Sequence, residues 1–295
     1  MKNPLSEKYQ DHREDNILIQ KIRKGDNKSL EILIKKHQGY IYNIALRMVF
    51  NPEDAEDITQ EVLIKVISNL AGFEGKSNFR TWLYRIAVNH ILNWKKSSAE
   101  KTHTNSFSIY SDIIDGVPDM DIPDNNPYTV ETKILIKETQ FSCMMGMLLC
   151  LDRDQRMVYI LGSMFGVSDN TGAEILEISK DNFRQKLSRA RKDLYSFMHN
   201  KCSLVNNTNP CKCNKKTKHL IDVGYVNPQK LLFNRNYYYT IEQSVEKRME
   251  EFGELADEIC DSYFREQPFQ ESPDFTDYLR KLFQTDKFKN IFNYN

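Results

Sequence analysis

The sequence lacks any apolar run long enough to cross a bilayer. Its longest, CMMGMLLCL at 143–151, is nine residues, about half of what a membrane helix needs. It also lacks net charge: the formal balance is zero over 295 residues. A zero balance excludes a uniform polycation, so any nucleic-acid role must come from local patches. The opening residues, MKNPLSEKYQDHRED, are charged and contain no apolar signal region, which makes a cytoplasmic protein the expectation. Six cysteines in a chain of this size do not suggest a disulfide framework, and a cytosolic setting keeps thiols reduced. Strand-like alternation is almost missing, and no internal repeat is visible. What remains is an all-α chain long enough for two or three domains. Tryptophan is scarce too, and both copies, Trp82 and Trp94, fall in SNFRTWLYRIAVNHILNWKK at 77–96.

From about Asp15 to Lys96 the pattern is helical throughout, with Gly25 and Asp26 separating two helices. At NPEDAEDITQEVLIKVISNL, Asn51 can cap, Pro52 suits the first turn, and Glu53, Asp54, Glu56 and Asp57 lie where the helix dipole favours anions. AGFEGKSN then breaks the helix before the tryptophan segment. That segment splits into two faces. Leu83, Ile86, Ala87 and Trp94 form an apolar stripe, while Trp82, Arg85, Asn89, Asn93 and Lys96 share the other side. Planar rings, amides and cations on one face suit base stacking beside phosphate. An ordinary amphipathic helix whose tryptophan covers a core edge has the same pattern.

Residues 97–132 are proline- and aspartate-bearing with little periodicity, and read as an acidic, flexible, extended linker. Helices resume near Lys133 and run to about Met198. Within them, TGAEILEISKDNFRQKLSRARKDL has the form of a helix-turn-helix. Phe183, Leu187, Ala190 and Leu194 point inward from its second helix, and Ser179 is placed to cap it. Outward lie Lys180, Arg184, Gln185, Lys186, Ser188, Arg189, Arg191 and Lys192, with Asp181 the only acid between 180 and 192. Amides and guanidiniums near the start of such a helix can reach base edges, and cations further along can hold phosphates. A solvated surface helix is the competing reading.

Between 199 and 219, His199, Cys202, Cys211 and Cys213 supply four potential ligands for one tetrahedral zinc. The same spacing fits reduced, unligated cysteines or a redox switch, since it is no standard finger spacing. Cys143, Cys150 and Cys260 stand in apolar helical contexts and read as core. Residues 220–295 hold two more amphipathic candidates, TIEQSVEKRMEEFGELADEICDSYF and SPDFTDYLRKLFQTDKFKNIF. The acids of 240–264 could mask the basic helix and act as a brake.

YNIALRMVFNPEDAEDITQEVLIKVI, FEGKSNFRTWLYRIAVNHILNWKK and LDRDQRMVYILGSMFGVSDNTGAEILEISKDNFRQKLSRARKDL together resemble regions 2 and 4 of bacterial sigma-70-family sigma factors, most of all the extracytoplasmic-function (ECF) group. The resemblance spans roughly residues 16–198. One departure is Glu177, at a turn where the family usually has glycine. It implies a transcription-initiation factor and not an enzyme, with no cofactor required. Its partners would be core RNA polymerase and promoter DNA, with no membrane, and an anti-sigma protein is a further partner that it admits. Residues 1–96 would then be region 2, 97–132 the linker, 133–198 region 4, 199–219 a Cys/His segment and 220–295 a helical extension. By the resemblance, Asp54, Asp57, Gln60, Glu61 and Lys65 meet polymerase, with Ile58, Val62 and Val66 inward. Asn78, Arg80, Trp82, Arg85 and Asn89 hold the melted −10 strand. Lys180, Arg184, Gln185, Ser188, Arg189, Arg191 and Lys192 read the −35 duplex. The linker's charge would imitate nucleic acid in the RNA path of the polymerase. A stand-alone helix-turn-helix regulator is the alternative, though it leaves 52–96 unexplained. A zinc enzyme built on the cysteines lacks an obvious general base.

Overall fold

Glycine, a cap and an apolar period account for most of the helix boundaries. The computed structural model describes residues 4–5, 12–95, 100, 106–121, 130–229, 231, 264–265 and 269–284. These form eleven helices, one 3-10 turn and a π-helical turn. The nearest thing to a sheet among them is an isolated bridge between Cys202 and Cys211. The all-α expectation stands. The chain divides into two compact units, one of 1–97, 160–184 and 271–295, the other of 98–159 and 185–270.

In the first unit, α1 (His12–Ile22) ends before Gly25, whose φ of 87° makes the turn. Asp26 then caps α2 (Asn27–Val49) by accepting from the amides of Lys28 and Ser29. From Leu33 onward α2 is buried on nearly every side, so it serves as the axis of the unit. Asn51 caps α3 (Pro52–Asn69), accepting from the Asp54 amide at 2.9 Å, with Pro52 in the first turn as its sequence predicts. Ile58, Val62 and Val66 are buried, matching the inward face expected of α3. A short 3-10 turn and the Gly75 loop lead to α4 (Phe79–Asn93), which buries Phe79, Leu83, Tyr84, Ala87, Val88 and Ile91.

The linker is not uniformly extended: Ser106 caps a helix, α5 (Phe107–Gly116). Its apolar residues Ile109, Tyr110, Ile113 and Ile114 recur at helical spacing, a period hidden by the surrounding prolines and aspartates. Residues 122–129 of the linker lie outside the described residues. In the second unit, Gly146 on α6 (Val130–Leu149) lies under the Tyr110 ring. A Cβ at Gly146 would stand 2.5 Å from the Tyr110 hydroxyl, so glycine is what allows that approach. The Tyr110 hydroxyl donates to the Cys143 carbonyl at 2.8 Å.

Helix α7 (Arg153–Tyr159) passes into the π turn Ile160–Met164. Arg156 is fully buried and donates to the carbonyls of Leu148, Leu149 and Leu151, at the end of α6. Its charge is met by the buried Glu100 carboxylate at 2.9 Å. Burial, offset by Glu100, lowers the Arg156 pKa from its ordinary value. The first unit, which resumes at the π turn, continues with α8 (Asp169–Leu176), capped by Ser168 and packed on α4. Next comes α9 (Lys180–Lys201), which runs three residues past the Met198 limit read from the sequence. Two more helices follow: α10 (Cys213–Asp222), in what the sequence presents as a polar segment, and α11 (Phe275–Phe283). Helix α11 buries Phe275 and Leu279 and ties to α2 through Arg280 and Glu31 at 2.9 Å. The segment 240–263, expected to mask the basic helix, and Cys260 lie outside the described residues.

Candidate nucleic-acid interface

In α4 the buried and outward faces separate as the sequence pattern requires, and the loop before it bends at Gly75, where φ is 74°. The result is a polar cleft of about 450 Å³ lined by Asn78, Arg80 and Arg85, together with Lys76, Ser77 and Glu174. Three of the five residues expected at the melted strand therefore share one cleft. Trp82 does not line it. Its ring is half-buried, with centroids 5.2 Å from Phe73 and 5.7 Å from Phe79. Asn89 is exposed one turn further along. Trp94 is half-buried and stands edge-on to His90.

The cleft's cations are not idle. Arg80 donates to the Pro4 carbonyl. Arg85 donates twice to the Glu174 carbonyl, at 3.2 and 2.9 Å, and lies 3.6 Å from the Glu177 carboxylate. Glu177 closes α8 in the left-handed region, φ 54° and ψ 40°. The unusual residue at the turn thus brings a carboxylate to a cation of the cleft, a link that the sequence pattern gave no means of seeing. Under the cleft face lies His37, fully buried, with its Nδ1 3.3 Å from the Tyr84 hydroxyl and its ring edge-on to Phe79. Burial, helped by the charges of Lys36 and Arg80, pulls its pKa down to about 3, so the imidazole is neutral.

On α3 the residues expected to meet a protein partner are graded by exposure. Asp57, Glu61 and Lys65 are exposed, whereas Asp54 and Gln60 are half-buried. Glu61 and Lys65 both reach His90 on α4, at 3.3 Å from Nε2 and 2.6 Å from Nδ1. Burial lowers the His90 pKa, and nearby Lys65 lowers it further against the opposing pull of Glu61. A neutral ring lets Nδ1 accept from the Lys65 ammonium, while Nε2 stands near the Glu61 carboxylate without hydrogen-bond geometry to it.

The second helix of the helix-turn-helix, α9, is built as its sequence predicts. Phe183, Leu187, Ala190 and Leu194 are buried. Lys180, Arg184, Gln185, Ser188, Arg189 and Lys192 are exposed, while Arg191 is half-buried. Ser179 accepts from the Asn182 amide at 3.2 Å, the expected cap. Gly172 on α8 permits the close helix crossing, since a Cβ there would sit 2.4 Å from the Phe183 ring. Arg184 is partnered by Asp169 at 2.5 Å, which holds its guanidinium near the helix start.

The four candidate zinc ligands do not converge. His199 is exposed, with Nδ1 3.4 Å from the Tyr195 hydroxyl. Cys202 and Cys211 meet through their backbones. Among the described residues no three His, Cys, Asp or Glu side chains are grouped to hold a metal. The residues between Cys202 and Cys213 are largely turn, and the side-chain amides of Asn206 and Asn209 donate to the His199 carbonyl.

Residues 33–100 match the Sigma-70 region 2 family. The ECF RNA polymerase sigma-E factor of Haemophilus influenzae is 26% identical over 181 residues, covering 60% of this chain and 91% of that protein. The RNA polymerase sigma-H factor of Pseudomonas aeruginosa is 25% identical, with 60% and 90% covered. The ECF RNA polymerase sigma-E factor of Escherichia coli is 28% identical over the same shares. A solved structure, CnrH in complex with the cytosolic domain of CnrY, aligns at a TM-score of 0.45 and 18% identity over 62% of this chain and 96% of that one. The region 2 match contains α3, the Gly75 loop and α4, and the relatives extend the likeness over most of their own length. Residues 33–100 of this chain thus carry a sigma-70 region 2, and the relatives that match 60% of its length are RNA polymerase sigma factors, two of these three named as ECF factors.

Proposed function

We propose that this chain acts in transcription initiation as a sigma factor, bringing core RNA polymerase to promoter DNA and helping to open it. The observation that carries this reading is the polar cleft beside α4, in the segment that matches region 2, with Asn78, Arg80 and Arg85 on its walls. Opening a duplex requires unstacking, and a cleft that takes up an extruded base while cations meet the flanking phosphates offsets that cost. In this reading Trp82, braced by Phe73 and Phe79, presents its free edge to the strand and Asn89 contacts the next phosphate. The exposed Asp57, Glu61 and Lys65 of α3 meet the polymerase, flanked by Asp54 and Gln60. Arg184, Gln185, Ser188 and Arg189 reach bases of the −35 duplex, and Lys180, Arg191 and Lys192 hold its phosphates.

The chain then supplies binding surfaces and no catalytic group. An anti-sigma protein, if one serves this chain, would have to cover α3, the cleft or α9. Promoter DNA must displace the Glu174 carbonyl and the Glu177 carboxylate from Arg85 before that guanidinium is available. Among the described residues no helix is long and apolar enough to cross a membrane, and we place the protein in the cytoplasm with the polymerase. Pull-down with bacterial core polymerase, followed by run-off transcription, tests the reading. Core association with promoter-dependent transcripts supports it. Retained duplex binding without core association would leave a stand-alone regulator.

A further inference from the structure

The second unit contains a cavity of about 260 Å³. Its walls come from α5, α6, α10 and the turn after α10, and include Ile113, Val117, Cys143, Leu220, Val223 and Tyr225. Carbon and sulfur dominate this surface. An engineered apolar cavity of about 150 Å³ stays dry and accepts benzene, so this space suits a ligand of one to two fused rings. Its mouth is apolar and uncovered: Val223 is 60% exposed, Ile113 45% and Tyr225 42%.

A second, independent observation lies on the inner wall. Thr139, midway along α6, is 2% exposed, and its Oγ1 has no hydrogen-bond partner among the described residues. A buried hydroxyl without a partner is costly and uncommon, and this one lines the cavity. The charge on the wall is already matched, since Lys216 pairs with Asp119 at 3.0 Å and donates to the Val117 carbonyl. The thiols are neutral, because burial raises Cys143 to about 12 and also raises Cys211 and Cys213. They line the space as apolar groups.

We propose that this cavity is a binding site for a small neutral ring compound, of one or two fused rings, whose single hydroxyl or carbonyl oxygen bonds Thr139 Oγ1. Such a ligand touches the linker helix α5, the region 4 helix α6 and the extension helix α10 at once. It therefore fastens the linker to the extension, and it does so whether or not the promoter-binding reading is correct.

Calorimetric titration of the full chain with 2-naphthol and with its oxygen-free counterpart 2-methylnaphthalene tests the site. Thr139→Val keeps the shape and removes the hydroxyl. It is expected to weaken 2-naphthol about 3- to 10-fold while leaving 2-methylnaphthalene within about twofold, and to raise the Tm of the empty protein. Leu220→Trp, which fills the cavity, abolishes both in a chain whose circular dichroism is unchanged. Failure of both probes to bind the wild-type chain overturns the proposal, as does equal loss of both on Thr139→Val. So does stoichiometric zinc in the purified protein that disappears with Cys143→Ser, which would make the cavity a metal site.

Discussion

Replacing Glu177 with glycine separates a backbone effect from an electrostatic one, and the structure sets the size of each. A residue with a Cβ held at φ 54° and ψ 40° costs roughly 1–2 kcal/mol relative to a residue at ease in that region. Glycine removes that strain but frees the unfolded chain, which costs about 0.4–1 kcal/mol. The side chain's ion pair with Arg85 spans 3.6 Å, with 58% and 33% of the two side chains exposed. A pair this open contributes about 0–1 kcal/mol. The net change in stability therefore lies between about −1 and +1.6 kcal/mol, a Tm shift between about −4 and +6 °C for a unit of this size.

What changes is Arg85. Without the carboxylate it retains the two bonds to the Glu174 carbonyl, so its release becomes easier by the worth of one exposed pair. Affinity for a single-stranded −10 oligonucleotide, read by fluorescence anisotropy, rises about 2- to 5-fold, and Arg85→Ala removes the gain. Glu177→Ala keeps the backbone strain and loses the charge, so it gives the same gain in affinity with a lower Tm than the glycine variant. A drop of more than about 5 °C with glycine, or a difference in affinity between the glycine and alanine variants, would refute the reasoning.

His37 makes the first unit pH-sensitive. Its folded pKa of about 3 lies below the 6.5 of the free ring, so its contribution is intact above pH 6.5 and is lost as pH falls toward 3, by about 1.4 kcal/mol per unit. Denaturant unfolding at pH 7 and pH 5 should differ by about 2 kcal/mol more in the wild type than in His37→Gln, and equal differences would count against a buried neutral ring. Arg156→Met removes the 2.9 Å partner of the buried Glu100, leaving it with Arg153 at 3.5 Å, and leaves three carbonyls undonated, for a loss of about 3–5 kcal/mol. Adding Glu100→Gln should recover part of that loss in thermal unfolding. Gly172→Ala drives a methyl into the Phe183 ring at about 1–3 kcal/mol. It should lower −35 duplex affinity in a gel shift, with recovery on Phe183→Leu. Converting Asp115, Asp119 and Asp121 to asparagine should raise hydrogen exchange across 107–121, and unchanged exchange would mean the ion pairs there do not hold α5.

Helix caps and inward faces were legible because they depend on neighbours three or four residues away. Asn51, Ser179 and the Phe183, Leu187, Ala190, Leu194 stripe are placed as the spacing predicts. The α5 helix escaped because prolines and aspartates around it dominate the composition, although Ile109, Ile113 and Ile114 carry a helical period. Tertiary partners were not legible. Nothing local tells that Arg85 finds the Glu174 carbonyl, or that His90 takes Glu61 and Lys65. The placement of His199 was not legible either. Closeness in sequence suggested a ligand set with the cysteines, yet the His199 ring lies beside Tyr195, one turn earlier on the same helix.

The zero net charge now has a structural meaning. Three of the linker acids are paired among the described residues: Asp115 with Lys201 at 2.6 Å, Asp119 with Lys216 at 3.0 Å, and Asp121 with Lys215. Basic residues in and after α9 therefore answer acids in the linker, and the outward cations Lys180, Arg189 and Lys192 remain exposed. A linker that imitates nucleic acid inside the polymerase needs the same carboxylates. A carboxylate held by these lysines cannot serve a competing cationic surface at the same instant. Three open ion pairs total only about 0–3 kcal/mol, less than a docking surface of ordinary size supplies. Residues 107–121 are thus held by contacts weak enough for a competing cationic surface to displace.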